Sequence, residues 1–137
     1  MSAPILVVDD DVDALEAMRF VLEGAGYDVV TAANGEEALR YLQGRGAPGL
    51  ILLDLMMPVM NGWTFLAHVE SDPRLGTIPI VVLSGGMLRE AEVASLGVAE
   101  YLEKPVEIST LFPVIRRYLA PDERRQDAHH QSHAVRA

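Results

Sequence analysis

Five short runs rich in valine, isoleucine and leucine, at 5–8, 28–32, 50–53, 80–83 and 99–102, alternate with stretches of helical spacing. No other feature constrains the chain as strongly. Two parallel strands need a crossover of a dozen or more residues between them, and a helix is its usual form. Strand–helix alternation repeated in this way predicts an α/β fold: a five-stranded parallel sheet, doubly wound, with helices on both faces and right-handed crossovers. The first, third and fourth runs are nearly continuous in branched aliphatic residues, as strands buried on both faces should be. The second and fifth are more mixed and are expected at the sheet edges.

The intervening stretches carry matching helix signals. Leu15, Met18 and Leu22 recur at helical spacing, with Ala14, Val21 and Ala25 beside them, and Gly26 is placed to stop this helix in a left-handed cap. Asn34 followed by Glu37 forms a capping-box pair that opens a second helix through Tyr41 and Leu42. Asn61-Gly62 opens a third, which ends near Ser71-Asp72-Pro73, while a short fourth is expected at 87–96 and a fifth at 107–119. A chain of 137 residues suits one domain, here 1–120, followed by a polar tail at 121–137 that has no periodic pattern and is expected to be disordered.

Charge and composition narrow the function. No apolar run approaches the roughly 20 residues of a spanning helix. The N-terminus, Met1-Ser2-Ala3-Pro4, lacks the basic segment of a signal peptide. The absence of cysteine excludes disulfides, thiolate metal sites and a cysteine nucleophile. A cytoplasmic protein is expected. The net charge is −9, and beyond Ala120 the acids Asp122, Glu123 and Asp127 are matched by Arg124, Arg125 and Arg136. All of the excess therefore lies in 1–120. So acidic a domain repels phosphate backbones and anionic membranes, which argues against nucleic-acid or membrane binding and favours divalent cations and basic partner surfaces.

Ligands of an open parallel sheet bind beyond the carboxyl ends of its strands. The first strand delivers Asp9-Asp10-Asp11 there, the third Asp54 and the fourth Ser84, and the fifth is followed by Lys104-Pro105. Carboxylates packed together repel one another, and a divalent cation and a nearby lysine are the usual remedies. An oxygen-only set of carboxylates and water suits Mg2+, which keeps coordination positions for a phosphoryl oxygen. The set reads as a phosphoryl-transfer site with a carboxylate nucleophile. Taken singly, each residue has a plainer role: Asp11 or Asp13 as a helix N-cap, Ser84 as a turn residue, Lys104 as a solvated charge. Convergence on one edge argues against the plainer reading, except for Asp11 and Asp13. Lys104 is also the only lysine among 11 basic side chains, standing where a compact charge on a flexible stem is wanted.

Four segments then match a known family in order and spacing: Ile5-Leu6-Val7-Val8-Asp9-Asp10-Asp11, Leu53-Asp54-Leu55-Met56-Met57-Pro58-Val59-Met60-Asn61-Gly62, Val82-Leu83-Ser84-Gly85, and Tyr101-Leu102-Glu103-Lys104-Pro105. Over residues 4 to about 119 the sequence resembles the receiver domain of bacterial response regulators, in the stand-alone form of the chemotaxis regulators. The resemblance implies a flavodoxin-like receiver fold and assigns roles. Asp54 would be the phosphoacceptor, attacking the phosphorus of a phosphohistidine on a partner protein. Asp9 and Asp10 would hold Mg2+ together with Asp54 and the backbone carbonyl of Met56. Lys104 would pair with the aspartyl phosphate, and Ser84 would swing in to hydrogen-bond a phosphoryl oxygen. Tyr101 would move inward behind Ser84, coupling the site to the surface of the fourth helix, fifth strand and fifth helix; it reads equally as an ordinary edge-strand aromatic. The Lys104–Pro105 peptide would be cis, a form realistic only before proline. The implied partners are a histidine kinase or histidine phosphotransfer protein and a downstream protein target, with the chain a monomer or weak dimer. Its chemistry would be confined to its own Asp54, so it would not be an enzyme in the ordinary sense.

Several residues depart from the family pattern or fall outside it. Asn61 stands where aspartate is frequent and reads as a helix cap. Pro113 falls inside the expected fifth helix, which predicts a kinked or late-starting helix. Met56 and Gly86, two residues beyond Asp54 and Ser84, offer no side chain that can orient a water, so a long-lived phosphoryl state is expected. Trp63 is expected to pack at the start of the third helix near the loop after Asp54, and His68 to be a surface or boundary residue. His129, His130 and His133 read as part of a solvated tail. Two other classes compete: a receiver-fold interaction module not switched by phosphate, which would be marked by a missing site residue, and a Mg2+-dependent aspartate-nucleophile phosphatase. The latter wants threonine or valine where Asp13 stands and needs a longer chain. A flavodoxin would need a hydroxyl- and glycine-rich loop where the three aspartates are.

Overall fold

The structure, a computed structural model, describes residues 3–45, 47–57, 60–85 and 90–121. Strands β1 (Ile5–Val8), β2 (Val29–Ala32), β3 (Leu50–Asp54), β4 (Ile80–Ser84) and β5 (Glu100–Glu103) alternate with helices α1 (Val12–Gly24), α2 (Gly35–Arg45), α3 (Gly62–Ser71), α4 (Glu90–Ser95) and α5 (Ile108–Tyr118). Every strand pair is parallel and the order is β2-β1-β3-β4-β5, so the two mixed runs do lie at the edges. From β1 the chain steps outward to β2 and then returns across β1 to β3. That reversal opens a crevice at the carboxyl ends of β1 and β3.

Strand periodicity decides what enters the crevice. Side chains alternate faces along a strand. Ile5 and Val7 of β1, Leu50 and Leu52 of β3, and Val81 and Leu83 of β4 join the core under α1 and α5, built with Leu15, Leu22, Leu111, Val114 and Ile115. Leu6 and Val8, Ile51 and Leu53, and Ile80 and Val82 join the core under α2 and α3, built with Leu42, Phe65 and Val69. Continued by one or two residues, the same alternation turns Asp9 and Asp54 to the α1/α5 side and Ser84 to the other. In β5, Tyr101 packs with the α2/α3 core and Leu102 with the α1/α5 core, so Lys104 falls on the side of Asp9 and Asp54.

The helix signals are realised closely. Asp11 caps α1, its side chain accepting from the N–H groups of Asp13 and Ala14, and Gly26 (φ 98°) follows the C-cap in the left-handed region. Asn34 Oδ1 accepts from Glu37 N at 2.9 Å while Glu37 Oε1 reaches back to the Ala33 N–H. Asn61 caps α3 through Thr64 N. β3 and β4 each run one residue beyond the apolar run and take in Asp54 and Ser84. Residues 87–89 of the expected fourth helix lie outside the described residues, and the described part is Glu90–Ser95.

Pro113 does not delay α5, which starts at Ile108, so the expected late start is corrected. Its ring lies on the exposed side of the helix while Leu111, Val114 and Ile115 are buried, and only the Ser109 carbonyl loses its helical donor. The end of α5 is fixed by the buried Tyr27, whose hydroxyl donates to the Leu119 carbonyl at 2.9 Å. Residues 122–137, with His129, His130 and His133, lie outside the described residues. Among the described residues no helix is long and apolar enough to cross a membrane.

Candidate functional site

Asp9 follows β1 and Asp54 ends β3, each only 8% exposed. Asp9 Oδ1 accepts from Asp11 N at 3.0 Å, which leaves Oδ2 to Lys104 Nζ at 3.1 Å. Asp54 Oδ1 accepts from Met56 N at 3.1 Å, and its Oδ2 stands 3.4 Å from the same ammonium. The lysine thus bridges two carboxylates. Its backbone is tied to β4 by a hydrogen bond of 2.6 Å from Lys104 N to the carbonyl of Ser84, and the Lys104–Pro105 peptide is cis. Asp10 is exposed beside this pair, and the carboxylate oxygens of Asp9, Asp10 and Asp54 lie within 4.8 Å of one another. Three hard oxygen donors at that separation fit a cation such as Mg2+.

The electrostatics follow from the geometry. Burial pushes the Asp54 carboxyl above its ordinary range; the Met56 N–H and Lys104 pull it down, the Asp9 charge pushes it up, and the net direction is upward. For Lys104, burial opposes the charged form, but the hydrogen bond to Asp9 and the charges of Asp54 and Asp9 together outweigh it and hold the ammonium above its ordinary value. A divalent cation or an added phosphoryl group would both act on this imbalance of three acids and one base.

Ser84 is buried at the end of β4, and Tyr101 is half-buried on neighbouring β5. The Tyr101 hydroxyl is buried with no hydrogen-bond partner among the described residues. Tyr101 therefore points inward rather than lying flat on the edge. Met56 is 65% exposed, its backbone tied to Asp54 and its side chain in solvent. Gly86 and the Pro58-Val59 step lie outside the described residues.

Two placements were not expected. Gly62 does more than open α3: its N–H donates to the Leu55 carbonyl at 2.9 Å, and a Cβ there would stand 2.6 Å from Leu55 Cα. The loop after Asp54 closes against α3 only because that residue has no side chain. Its sequence signal was the Asn-Gly pair, which reads first as a cap. Trp63, beside Gly62 at the start of α3, is 41% exposed and lines a groove with Leu66 and Ala67 of α3 and Leu96 after α4, so it is less packed than expected.

Three acids and one lysine thus stand together at the switch point of a parallel α/β sheet. Residues 5–116 match the family model of the response regulator receiver domain, and the chain belongs to that family. It is 38% identical to an uncharacterised 14.6 kDa protein of Leptolyngbya boryana, over 83% of this chain and 88% of that protein. It is 36% identical to the response regulator PleD of Caulobacter vibrioides over 92% of this chain, but spans only 29% of that longer protein. Among solved structures, the chemotaxis protein CheY4 of Vibrio cholerae superposes with a TM-score of 0.79 at 33% identity, over 87% of this chain and all (100%) of that one. The receiver domain of a sensor histidine kinase of Pseudomonas aeruginosa, with a magnesium ion in its active-site cleft, gives 0.77 at 25% identity over 86% of this chain and 98% of that one.

Proposed function

We propose that the chain is a single-domain response regulator switched by phosphorylation of Asp54. The observation that carries this reading is the ammonium of Lys104 held 3.1 Å from Asp9 and 3.4 Å from Asp54, in a chain of the receiver family. In the transfer, an Asp54 oxygen attacks the phosphorus of a phosphohistidine, the P–N bond breaks, and the departing imidazole takes a proton from solvent. Asp9, Asp10 and Asp54 would hold Mg2+, with the Met56 carbonyl added by the family resemblance, and the ion would supply positive charge against the phosphoryl oxygens. Lys104 gives up a carboxylate partner for the phosphoryl group. Ser84 donates its hydroxyl to a phosphoryl oxygen, and Tyr101, already inward with a hydroxyl that has no partner among the described residues, fills the space behind it.

The chemistry is confined to the chain's own aspartate, so the protein is a switch and not an enzyme on other substrates. The chain matches 88% of the 14.6 kDa relative and 100% of CheY4, but 29% of PleD. The charge of −9 supports a cytoplasmic partner protein, and not nucleic acid, as the receiver of the signal. The phosphoryl donor is a histidine kinase or a histidine phosphotransfer protein. Exposed Val12 and Phe20 of α1 and Ile108 of α5 supply apolar contact area on the elements that flank the acids. With the Met56 side chain in solvent, no group there orients a hydrolytic water, and the phosphoryl state is long-lived.

Intact mass after incubation with acetyl phosphate tests this reading. A gain of one phosphoryl group that needs Mg2+ and disappears in Asp54→Asn is expected. A gain that survives Asp54→Asn would move the acceptor elsewhere. No gain with acetyl phosphate or phosphoramidate would favour the unswitched interaction module.

A further inference from the structure

Below the carboxylates, the α1/α5 side of the sheet is not filled. A cavity of about 470 Å³ opens there, floored by Val7, Leu52 and Leu83 and walled by Ala14, Met18 and Val106. It exists because α1 offers little at this level. Asp11 fixes the first turn by accepting from the Ala14 N–H at 3.2 Å, so that turn offers the space only the Ala14 methyl group, with Met18 one turn further on, while Leu15 and Leu22 hold the buried positions of the helix. Charge enters the described lining only at Asp9, Asp11, Asp54 and Lys104, and Asp11 is committed to the helix cap.

We propose that this cavity binds a small amphipathic cation, a primary amine carrying a short apolar group. The walls and floor suit the apolar part, since pockets of this size bind chiefly through apolar lining with a few placed polar groups. The mouth selects the head group. Asp9 and Asp54 share one ammonium, Lys104, and Asp10 stands beside the two acids, so three carboxylates meet a single positive charge. An anionic head would meet excess negative charge there, and an ammonium would reduce it. The amine uses the carboxylates that would hold a divalent cation, so the two exclude each other and the amine-loaded chain is closed to phosphorylation. The site needs the carboxylates but not their phosphorylation, and it stands or falls separately from the role of Asp54 as acceptor.

Titration of the metal-free full chain with phenylethylamine, followed by calorimetry and amide NMR, tests the proposal, with methylammonium as a head-only probe. Phenylethylamine is expected to bind at least about tenfold more tightly than methylammonium, the scale of one buried aromatic ring. Added Mg2+ should weaken it competitively. Ala14→Leu, which fills the cavity, should weaken phenylethylamine by about tenfold while Mg2+ affinity stays within about twofold. Val106→Phe narrows the same space from the opposite wall and serves if the leucine unfolds the chain. Equal binding of the two amines, or indifference to both substitutions, would show attraction to the carboxylates alone and overturn the proposal. Absence of phenylethylamine binding at about 10 mM would overturn it as well.

Discussion

The face of the sheet under α2 and α3 and the face under α1 and α5 draw on the same strands, yet they are built differently. Under α2 and α3, Leu6, Val8, Ile51, Leu53, Phe65 and Val69 form a continuous apolar core. Under α1 and α5 the apolar packing is complete only toward the amino ends of the strands, around Ile5, Leu50, Tyr27 and Ile115. Toward the carboxyl ends it gives way to a cavity roofed by Asp9, Asp54 and Lys104. Asp9, Asp54 and Lys104 thus stand over the looser face, while Ser84 and Tyr101 belong to the tighter one. A phosphoryl group on Asp54 would be made on one face and read on the other, with the sheet edge as the hinge between them.

The contrast can be broken most severely at the tight face. Phe65→Ala removes a fully buried ring and is expected to cost about 3–5 kcal/mol in denaturant unfolding. A loss below about 1 kcal/mol would mean that this face is not close-packed. Gly62→Ala comes next. With its Cβ 2.6 Å from Leu55 Cα, the substitution must displace the loop that follows Asp54, at about 1–3 kcal/mol. It should also weaken Mg2+ binding, because Met56 is carried on that loop; an unchanged midpoint and metal affinity would contradict the positioning role.

At the charged face the expected effect is a gain. Burial raises the Asp54 pKa, so in metal-free protein the charged form favours unfolding: its stabilising contribution is present at acid pH and is lost as pH rises through the folded-state value. Asp54→Asn should therefore match the wild type in acid and exceed it at neutral pH, by a few degrees in Tm, the scale of about 1 kcal/mol. A Tm gap that shrinks toward neutral pH would have the wrong sign. The smallest effect belongs to Tyr101→Phe. Removing a buried hydroxyl without a partner should leave stability unchanged or raise it by up to about 1 kcal/mol, as read in denaturant titration. A clear loss would mean that the hydroxyl is bonded.

The sequence carried the fold because its signals were local and agreed with one another. Aliphatic runs, caps at Asn34 and Asn61, and the glycine at position 26 each name an element, and alternation alone sends Asp9 and Asp54 to one side. Tyr101 needed the structure, since an edge-strand aromatic has the same pattern whether it turns in or out. Gly62 needed it because a close approach between Leu55 and the first turn of α3 depends on a loop path that no periodicity encodes. Trp63 is more exposed than its apolar character suggests because Phe65, Leu66 and Val69 already supply the buried stripe of α3 and leave it at the groove. Pro113 looked disruptive by its helix position, yet its exposed side of α5 needs no buried contact there. The cavity left no signal beyond the small side chain of Ala14.

The central claim is that a phosphoryl group bound on the α1/α5 face changes the side chains of the opposite face. The most direct test is amide and side-chain NMR of the full chain with Mg2+ and beryllofluoride, a phosphoryl mimic, beside Asp54→Asn as control. Shifts are expected at Asp9, Asp54 and Lys104 together with Ser84, Tyr101 and α4, with the second group silent in Ser84→Ala and both groups silent in Asp54→Asn. Shifts confined to Asp9, Asp10, Asp54 and Lys104 in the unaltered chain would contradict it, leaving an acidic site that binds the mimic without passing its state across the sheet.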